Sequence, residues 1–428
     1  MMGPGSVSTL PLRTKWGKES PTLYMPGSVV PSKLEMGRML VKLSDLGIFP
    51  SALASDVGQG GYMAAGDLLT QTIDGFDLNN IWTEFQQAIA LVNQQRTLLT
   101  QLLTFPVTSN VERVAQISQA SFEEASEYGE PRGIRPVGSF FTLGYDFKDY
   151  DVAARFTWKF LRDAPASQVE AINAMVIEAD NRLIYNKVMD ALYNPANRVA
   201  DINGQDVNVY ALYNNDGTVP PKYKTNTFAG THTHYLTSGN VNVDPRDLDE
   251  MYEHVRHHGY SFENGVQHLL LVNTVEANRI AQFRMAGTYS AGGTVGGQYD
   301  FIPSVAMPAM FLPKDVVIFN GQQAPARISG LPVIGSYGPM LVLVDDMFPA
   351  GYMALLASGG PENLRNPVGL REHGNASFRG LRLVKGPNPD YPLIDSFYQR
   401  SFGTGIRQRG GAVIMQVTAG AYAAPTFV

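Results

Sequence analysis

Between residues 82 and 103, Phe85, Ala88, Ile89, Val92, Leu99, Leu102 and Leu103 recur at helical spacing and predict one helix that stops before Pro106. Its other face is Gln and Asn, hardly charged, which suits burial against a partner. Further on the period changes to two. Phe141, Leu143, Tyr145 and Phe147 take odd positions and Tyr150, Val152, Ala154, Phe156, Trp158 and Phe160 even ones, so the apolar face changes parity once, near Lys148 and Asp149. A bulge there keeps one face apolar throughout. Upstream, Glu123, Glu124, Glu127 and Glu130 form an acidic leg, and the turn residues 131–136 carry Arg132 and Arg135. The pattern predicts a long hairpin with an acidic leg and a basic tip. An isolated two-stranded ribbon is marginal in water, so its aromatic face needs a neighbour.

The next helix is the best specified. Ser167 with Glu170 reads as a capping box, and Val169, Ile172, Val176, Ala179, Leu183, Ile184, Val188 and Leu192 trace one face over 168–193 until Asn194-Pro195. At about seven turns it is a structural beam. Asp244 as N-cap, Pro245 in the first turn and Gly259 as the stop frame a second helix, with Leu248, Met251, Tyr252 and Val255 inward. A strand at 268–273, a helix at 276–285 and strands at 316–319, 333–336 and 341–344 follow, and 351–357 fits either a strand or a buried apolar turn. The tail, 397–417, predicts a strand pair with exposed Arg400, Arg407 and Arg409. Residues 1–80, rich in Gly, Pro and Ser with a short helix at 33–46, read as an arm. The fold class is α+β.

Charge sharpens this picture. The chain has 33 Lys+Arg against 39 Asp+Glu, a net charge of -6, which argues against a protein that wraps DNA through a basic surface. Charged residues are 17% of the chain, below the roughly 25% usual for soluble domains, so part of the exterior is expected to be covered by something other than water. With 44% hydrophobic residues the chain can bury a large core, and with no cysteine it has no disulfide, thiolate metal site or cysteine nucleophile. The start has no signal-type apolar run, and the longest apolar runs, 269–272 and 340–344, are too short to span a bilayer, so a soluble, unsecreted protein without a membrane partner is expected.

Catalytic patterns are missing. The glycine loop 292–297 lacks the lysine that meets a phosphate, Ser290 lacks the glycine of a nucleophile elbow, and no His-Glu-x-x-His occurs. The sharpest chemical feature is a histidine set: His254 and His258 one turn apart, His257 between them, His232 and His234 upstream. Two imidazoles at that spacing can share a zinc ion, or simply sit near a helix C-terminus where the dipole favours positive charge. The second reading is preferred, so no metal or cofactor is assigned. Asp345-Asp346, and Asp247 with Glu250, read as a strand end and a solvated helix face.

At the aromatic hairpin, the beam helix and the arginine-bearing tail, the sequence resembles the major capsid proteins of tailed bacteriophages, with the Hong Kong 97 fold. The segments that carry the resemblance most specifically are 103–126, 332–348 and 397–417. It implies an N-terminal arm at 1–121 including the helix 82–103, an extended loop at 122–163, a peripheral domain at 164–239 and 371–428 with its spine helix at 168–193, and an apical domain at 240–370. Intersubunit contacts would then fall on the extended loop (Glu123, Glu124, Glu127, Glu130, Arg132, Arg135, Phe141, Tyr145, Phe156, Trp158), the spine helix (Ile172, Val176, Leu183) and the C-terminal strand (Arg400, Arg407, Arg409). The implied function is non-enzymatic: hexamers and pentamers tile an icosahedral head in the virion, around double-stranded DNA held without sequence-specific binding. A portal, a scaffolding protein and a decoration protein are the implied partners. Unlike the family's founding member, this chain shows no acidic coiled-coil leader, so a separate scaffold or a scaffold role for residues 1–80 is expected. Covalent crosslinking is not expected, Lys148 and Asn388 being distant analogues at most. The alternatives are an encapsulin-type shell enclosing enzymes and an α/β metalloenzyme using the histidines.

Overall fold

A computed structural model describes residues 71–94, 97–115, 124, 127–129, 140–202, 204–285, 287–290, 293–305, 325–328, 331–385 and 393–427. The helix expected at 33–46 and the strand at 316–319 lie outside the described residues. Two helices, α1 (Leu78–Gln94) and α2 (Leu98–Leu103), stand where one was expected. Then come β1 (Thr104–Val107), β2 (Val111–Ala115), β3 (Phe140–Gly144), β4 (Lys148–Thr157), α3 (Trp158–Asp163) and the beam α4 (Ala166–Tyr193). β5 (Arg198–Ile202), β6 (Gln205–Val209) and β7 (Tyr235–Thr237) lead to α5 (Pro245–Arg256), β8 (Gln267–Val272) and α6 (Thr274–Ile280). The rest is strand: β9 (Thr288–Ser290), β10 (Gly293–Gly296), β11 (Phe301–Pro303), β12 (Arg327–Ile328), β13 (Leu331–Tyr337), β14 (Met340–Val344), β15 (Tyr352–Ser358), β16 (Val368–Glu372), β17 (Leu381–Lys385), β18 (Leu393–Ile406) and β19 (Ala412–Gln416).

Two sheets organise the described residues. The larger runs β11-β13-β14-β8-β15-β19-β7, with β12 on β13. Its central strands are near-continuous apolar runs because both faces are covered. Leu269, Leu271, Ala354, Leu356 and Ile414 face the C-terminal half of α4 through Ile184, Val188 and Leu192. Leu270, Val272, Met353, Leu355 and Val413 face α5 and α6 through Leu248, Met251, Val255 and Ile280. The smaller sheet runs β1-β16-β18-β17, with β4 also paired to β18. Phe156, Leu381 and Tyr398 from it pack on Phe85 and Ile89 of α1 and on Val169 and Val176 of α4. The beam thus underlies both sheets, one half each.

Three expectations are corrected. The ribbon is not one hairpin: β3 pairs with β2, in register from Val111↔Gly144 to Ala115↔Phe140, whereas β4 pairs with β18. The parity change near Lys148 marks a chain leaving one sheet for another, not a bulge. The tail is not a strand pair, since β18 and β19 lie in different sheets. Lastly, α4 starts at Ala166 without a side-chain cap of its own. The amide of Ala166 is satisfied from a distance, donating to the Asp74 carboxylate at 3.1 and 3.2 Å. The Asp244 cap of α5 is as expected, and Asp247 completes it by accepting the Asp244 amide at 2.8 Å.

Candidate intersubunit surfaces

Among the described residues β2 and β3 pair only with each other, and their base is clamped onto the smaller sheet. Tyr145, directly after β3, is fully buried, and its hydroxyl donates to Glu112 Oε2 at 2.9 Å. Arg407 Nη2 approaches the other oxygen of Glu112 at 2.9 Å. Arg371 Nη1 donates to the Tyr145 carbonyl at 3.0 Å. Asp146 accepts the Thr404 amide and pairs with Arg198, each at 2.5 Å. Burial first, and then the Glu112 charge, pushes the Tyr145 hydroxyl far above its ordinary value, so it stays protonated and donating.

Glycine makes this approach possible. A β-carbon at Gly369 would strike the Tyr145 ring, one at Gly403 would strike the Asp146 carbonyl, and one at Gly405 would lie 2.7 Å from Tyr145 and 2.9 Å from the Gly144 carbonyl. The Gly403-Thr404-Gly405 run inside a strand was the available signal that another backbone comes close there.

The candidate contact residues separate into groups. Glu123, Glu130, Arg132 and Arg135 lie outside the described residues; Glu124 and Glu127 are exposed. Phe141 is half-buried, its ring 4.5 Å from Tyr210, and Trp158 is half-buried at the start of α3. Tyr145 and Phe156 are sealed inside their own chain, so neither is held back for a neighbour. On α4, Val176 is buried while Ile172 and Leu183 are half-buried. The inward stripe of α4 also takes in Asn173 and Asp180, the latter because it holds Arg400.

The arginines expected on the surface are corrected too. Arg400 and Arg409 are 7% and 4% exposed. Arg400 forks onto Asp180, its Nη2 at 2.7 Å. Burial pushes the Asp180 carboxyl up and Arg400 draws it back. Arg409 Nη2 meets Asp216 at 2.7 Å, and its guanidinium lies 4.6 Å from the Tyr213 ring centre. Half-buried Arg407 belongs to the Glu112 clamp. Their acids, 112, 180 and 216, are too far away in sequence for spacing to have linked them.

Large apolar side chains do remain uncovered. Tyr128 is 93% exposed, Val241 78%, Met175 on α4 68% and Phe140 at the outer end of β3 60%. Among the described residues no helix is long and apolar enough to cross a membrane.

The histidines converge, though not as the helical spacing suggested. α5 ends at Arg256, and the next residues turn so that His257 and His258, with His232 and His234, place one ring nitrogen each within 4.8 Å of the others. His254 stays on the helix, its Nδ1 donating to the Glu250 carbonyl at 3.0 Å. Burial, then neighbouring imidazoles, holds His232 and His257 down at about 4 and His258 at about 2, and takes His234 well below its ordinary value.

No family model and no curated protein matches the chain. A solved structure from Mycobacterium phage Patience is 48% identical, covering 87% of this chain and 97% of that one with a TM-score of 0.67. The bacteriophage PhiM1 mature capsid (11% identity, 76% of this chain and 88% of that one, TM-score 0.46) is far more distant. So is the SrpI encapsulin complex of Synechococcus elongatus (13% identity, 88% and 99%, TM-score 0.40); neither likeness carries weight. A phage relative of nearly half identity over almost its whole length, joined to a clamped hairpin, a beam helix and two sheets, defines a shell-building subunit. The chain belongs to the family of tailed-phage major capsid proteins with the Hong Kong 97 fold; copies of it form the icosahedral head, and its place is the virion.

Proposed function

We propose that the subunit closes its shell by laying the β2–β3 hairpin, with residues 116–139 at its tip, over a neighbouring copy. The observation that carries this is the contrast between base and ribbon: the base is locked by Tyr145, Glu112, Arg371 and Arg407, while among the described residues the ribbon pairs with no third strand. Beyond the contact of Phe141 with Tyr210 at 4.5 Å, a surface supplied by another molecule would add to the stability of such a ribbon. The loop accordingly begins at β2, earlier than residue 122. Glu123, Glu124, Glu127 and Glu130 on one side and Arg132 and Arg135 on the other give it charges for fixing register on an adjacent subunit.

The smaller sheet with α4 acts as the peripheral domain, the larger sheet with α5 and α6 as the apical domain, and residues 1–70 as the arm. Head-to-tail contacts between copies close into hexamers and pentamers. Obligate interfaces of about 2,000–5,000 Å², burying side chains such as Met175 and Phe140, supply the cohesion. Double-stranded DNA fills the head without specific contacts, and a net charge of -6 suits a lining along which it slides. A portal, a scaffold and a decoration protein complete the particle. The subunit works through contact and has no catalytic role.

The test is Arg132→Ala/Arg135→Ala. Circular dichroism and the thermal midpoint should match the parent, while shells seen by negative-stain microscopy and sedimentation are lost. Shells formed at parental yield would remove the role assigned to the tip.

A further inference from the structure

The Nε2 atoms of His232, His234 and His258 form a near-equilateral triangle, with 3.1 Å between His232 and His234 and 3.0 Å on the other two sides. The fourth, on His257, lies 3.4 Å from that of His232. Hydrogen bonding does not account for this. Buried His234 has its Nδ1 at 2.6 Å from the Ala412 carbonyl, which only accepts, so the proton is on Nδ1 and Nε2 presents a lone pair. The Nε2 atoms of His232 and His258 crowd that lone pair and each other, so three basic nitrogens converge on one point.

A cation at the centre satisfies every edge at once. Four imidazoles bound tetrahedrally at about 2.0–2.1 Å have neighbouring nitrogens about 3.3–3.4 Å apart; four of the pairs here are 3.0–3.4 Å apart, and all four nitrogens lie within 4.8 Å of one another. The surroundings also fit. The Nδ1–H to Ala412 contact is the orienting bond that metal-bound histidines make. Phe228 stacks on His258 at 4.3 Å between ring centres and Tyr213 does so at 5.4 Å, walling the cluster with aromatic rings. We propose that His232, His234, His257 and His258 bind one zinc ion through their Nε2 atoms.

Four protein ligands leave no open position, so the ion is structural. It pins the stretch from Tyr210 to His234, whose described residues hold only isolated bridges and turns, to the end of α5 and, through Ala412, to β19. In a chain without cysteine, it takes the place of a disulfide as a long-range brace.

The experiment uses the full chain, stripped with a chelator, reloaded with zinc and measured by elemental mass spectrometry. About one zinc per chain is expected. Chelation should lower the thermal midpoint, zinc should restore it and magnesium should not. Cobalt in place of zinc should give the intense visible bands of a tetrahedral site, a readout on the unmutated protein that needs no variant to fold. His232→Ala/His258→Ala should lose the ion and His254→Ala should keep it. The proposal is overturned if the unmutated chain takes up no zinc, if cobalt shows only weak octahedral bands, or if the double variant retains its metal. None of these readouts depends on shell assembly.

Discussion

In the larger sheet, Leu269 to Val272, Met353 to Ala357 and Ala412 to Met415 are all sealed from solvent, alternate side chains filling one core and then the other. In the smaller sheet, glycines at 369, 403 and 405 open a notch for Tyr145 and Asp146, and Arg371, Arg400 and Arg407 hold the hairpin and the beam by directed bonds. Burial is tolerant of small shifts, because it depends on area and not direction. Forked guanidinium bonds fix angle as well as distance. The larger sheet therefore supplies bulk stability, and the smaller one sets where the hairpin points. If the hairpin lies over a neighbouring copy, as proposed, shell building needs both, since a hairpin aimed wrongly at its base would miss its neighbour at the tip.

Mutations can break this comparison. Arg400→Ala strands Asp180, a buried carboxylate, and should cost about 3–5 kcal/mol in urea unfolding. Arg400→Met with Asp180→Leu should return most of that loss, yet assemble poorly because the fixed angle is gone. A single variant within about 1 kcal/mol of the parent would mean that the pair does not anchor the beam. Leu270→Ala, in the larger sheet, should cost about 2–5 kcal/mol as a core cavity. Below its lowered melting temperature it should still form normal shells.

Gly403→Ala sharpens the contrast from the other side. Its stability loss should be smaller, about 1–3 kcal/mol, but shells should fail under conditions where the subunit is folded. If Leu270→Ala and Gly403→Ala lose shells in proportion to stability alone, the two sheets do not divide the work. The smallest effect is expected from Asp244→Ala, about 1 kcal/mol for a lost helix cap, with assembly intact.

What the sequence made legible was local. The Asp244-Pro245 start of α5, the Asn194-Pro195 end of α4 and the apolar runs of β8, β13 and β14 are each set by neighbours a few residues away. The misreadings share a cause in contacts between distant segments. Ser167 and Glu170 looked like a cap, but Asp74 already serves the start of α4. Phe156 looked like a residue for a neighbour because its cover, Phe85 and Trp82, lies some 70 positions upstream. The i, i+4 spacing pointed to His254 with His258, whereas the helix ends between them and His257 takes the place of His254.

Residues 407–411 join β18 in one sheet to β19 in the other. Arg407 within that link grips the hairpin base through Glu112, and Arg409 grips Asp216. A sideways load on the tip is thus delivered to a splice only five residues long, with little slack to absorb it. With the hairpin seated on a neighbouring copy as proposed, strain arriving from one subunit would pass through the body of the next, and the head would bear load as a continuous skin.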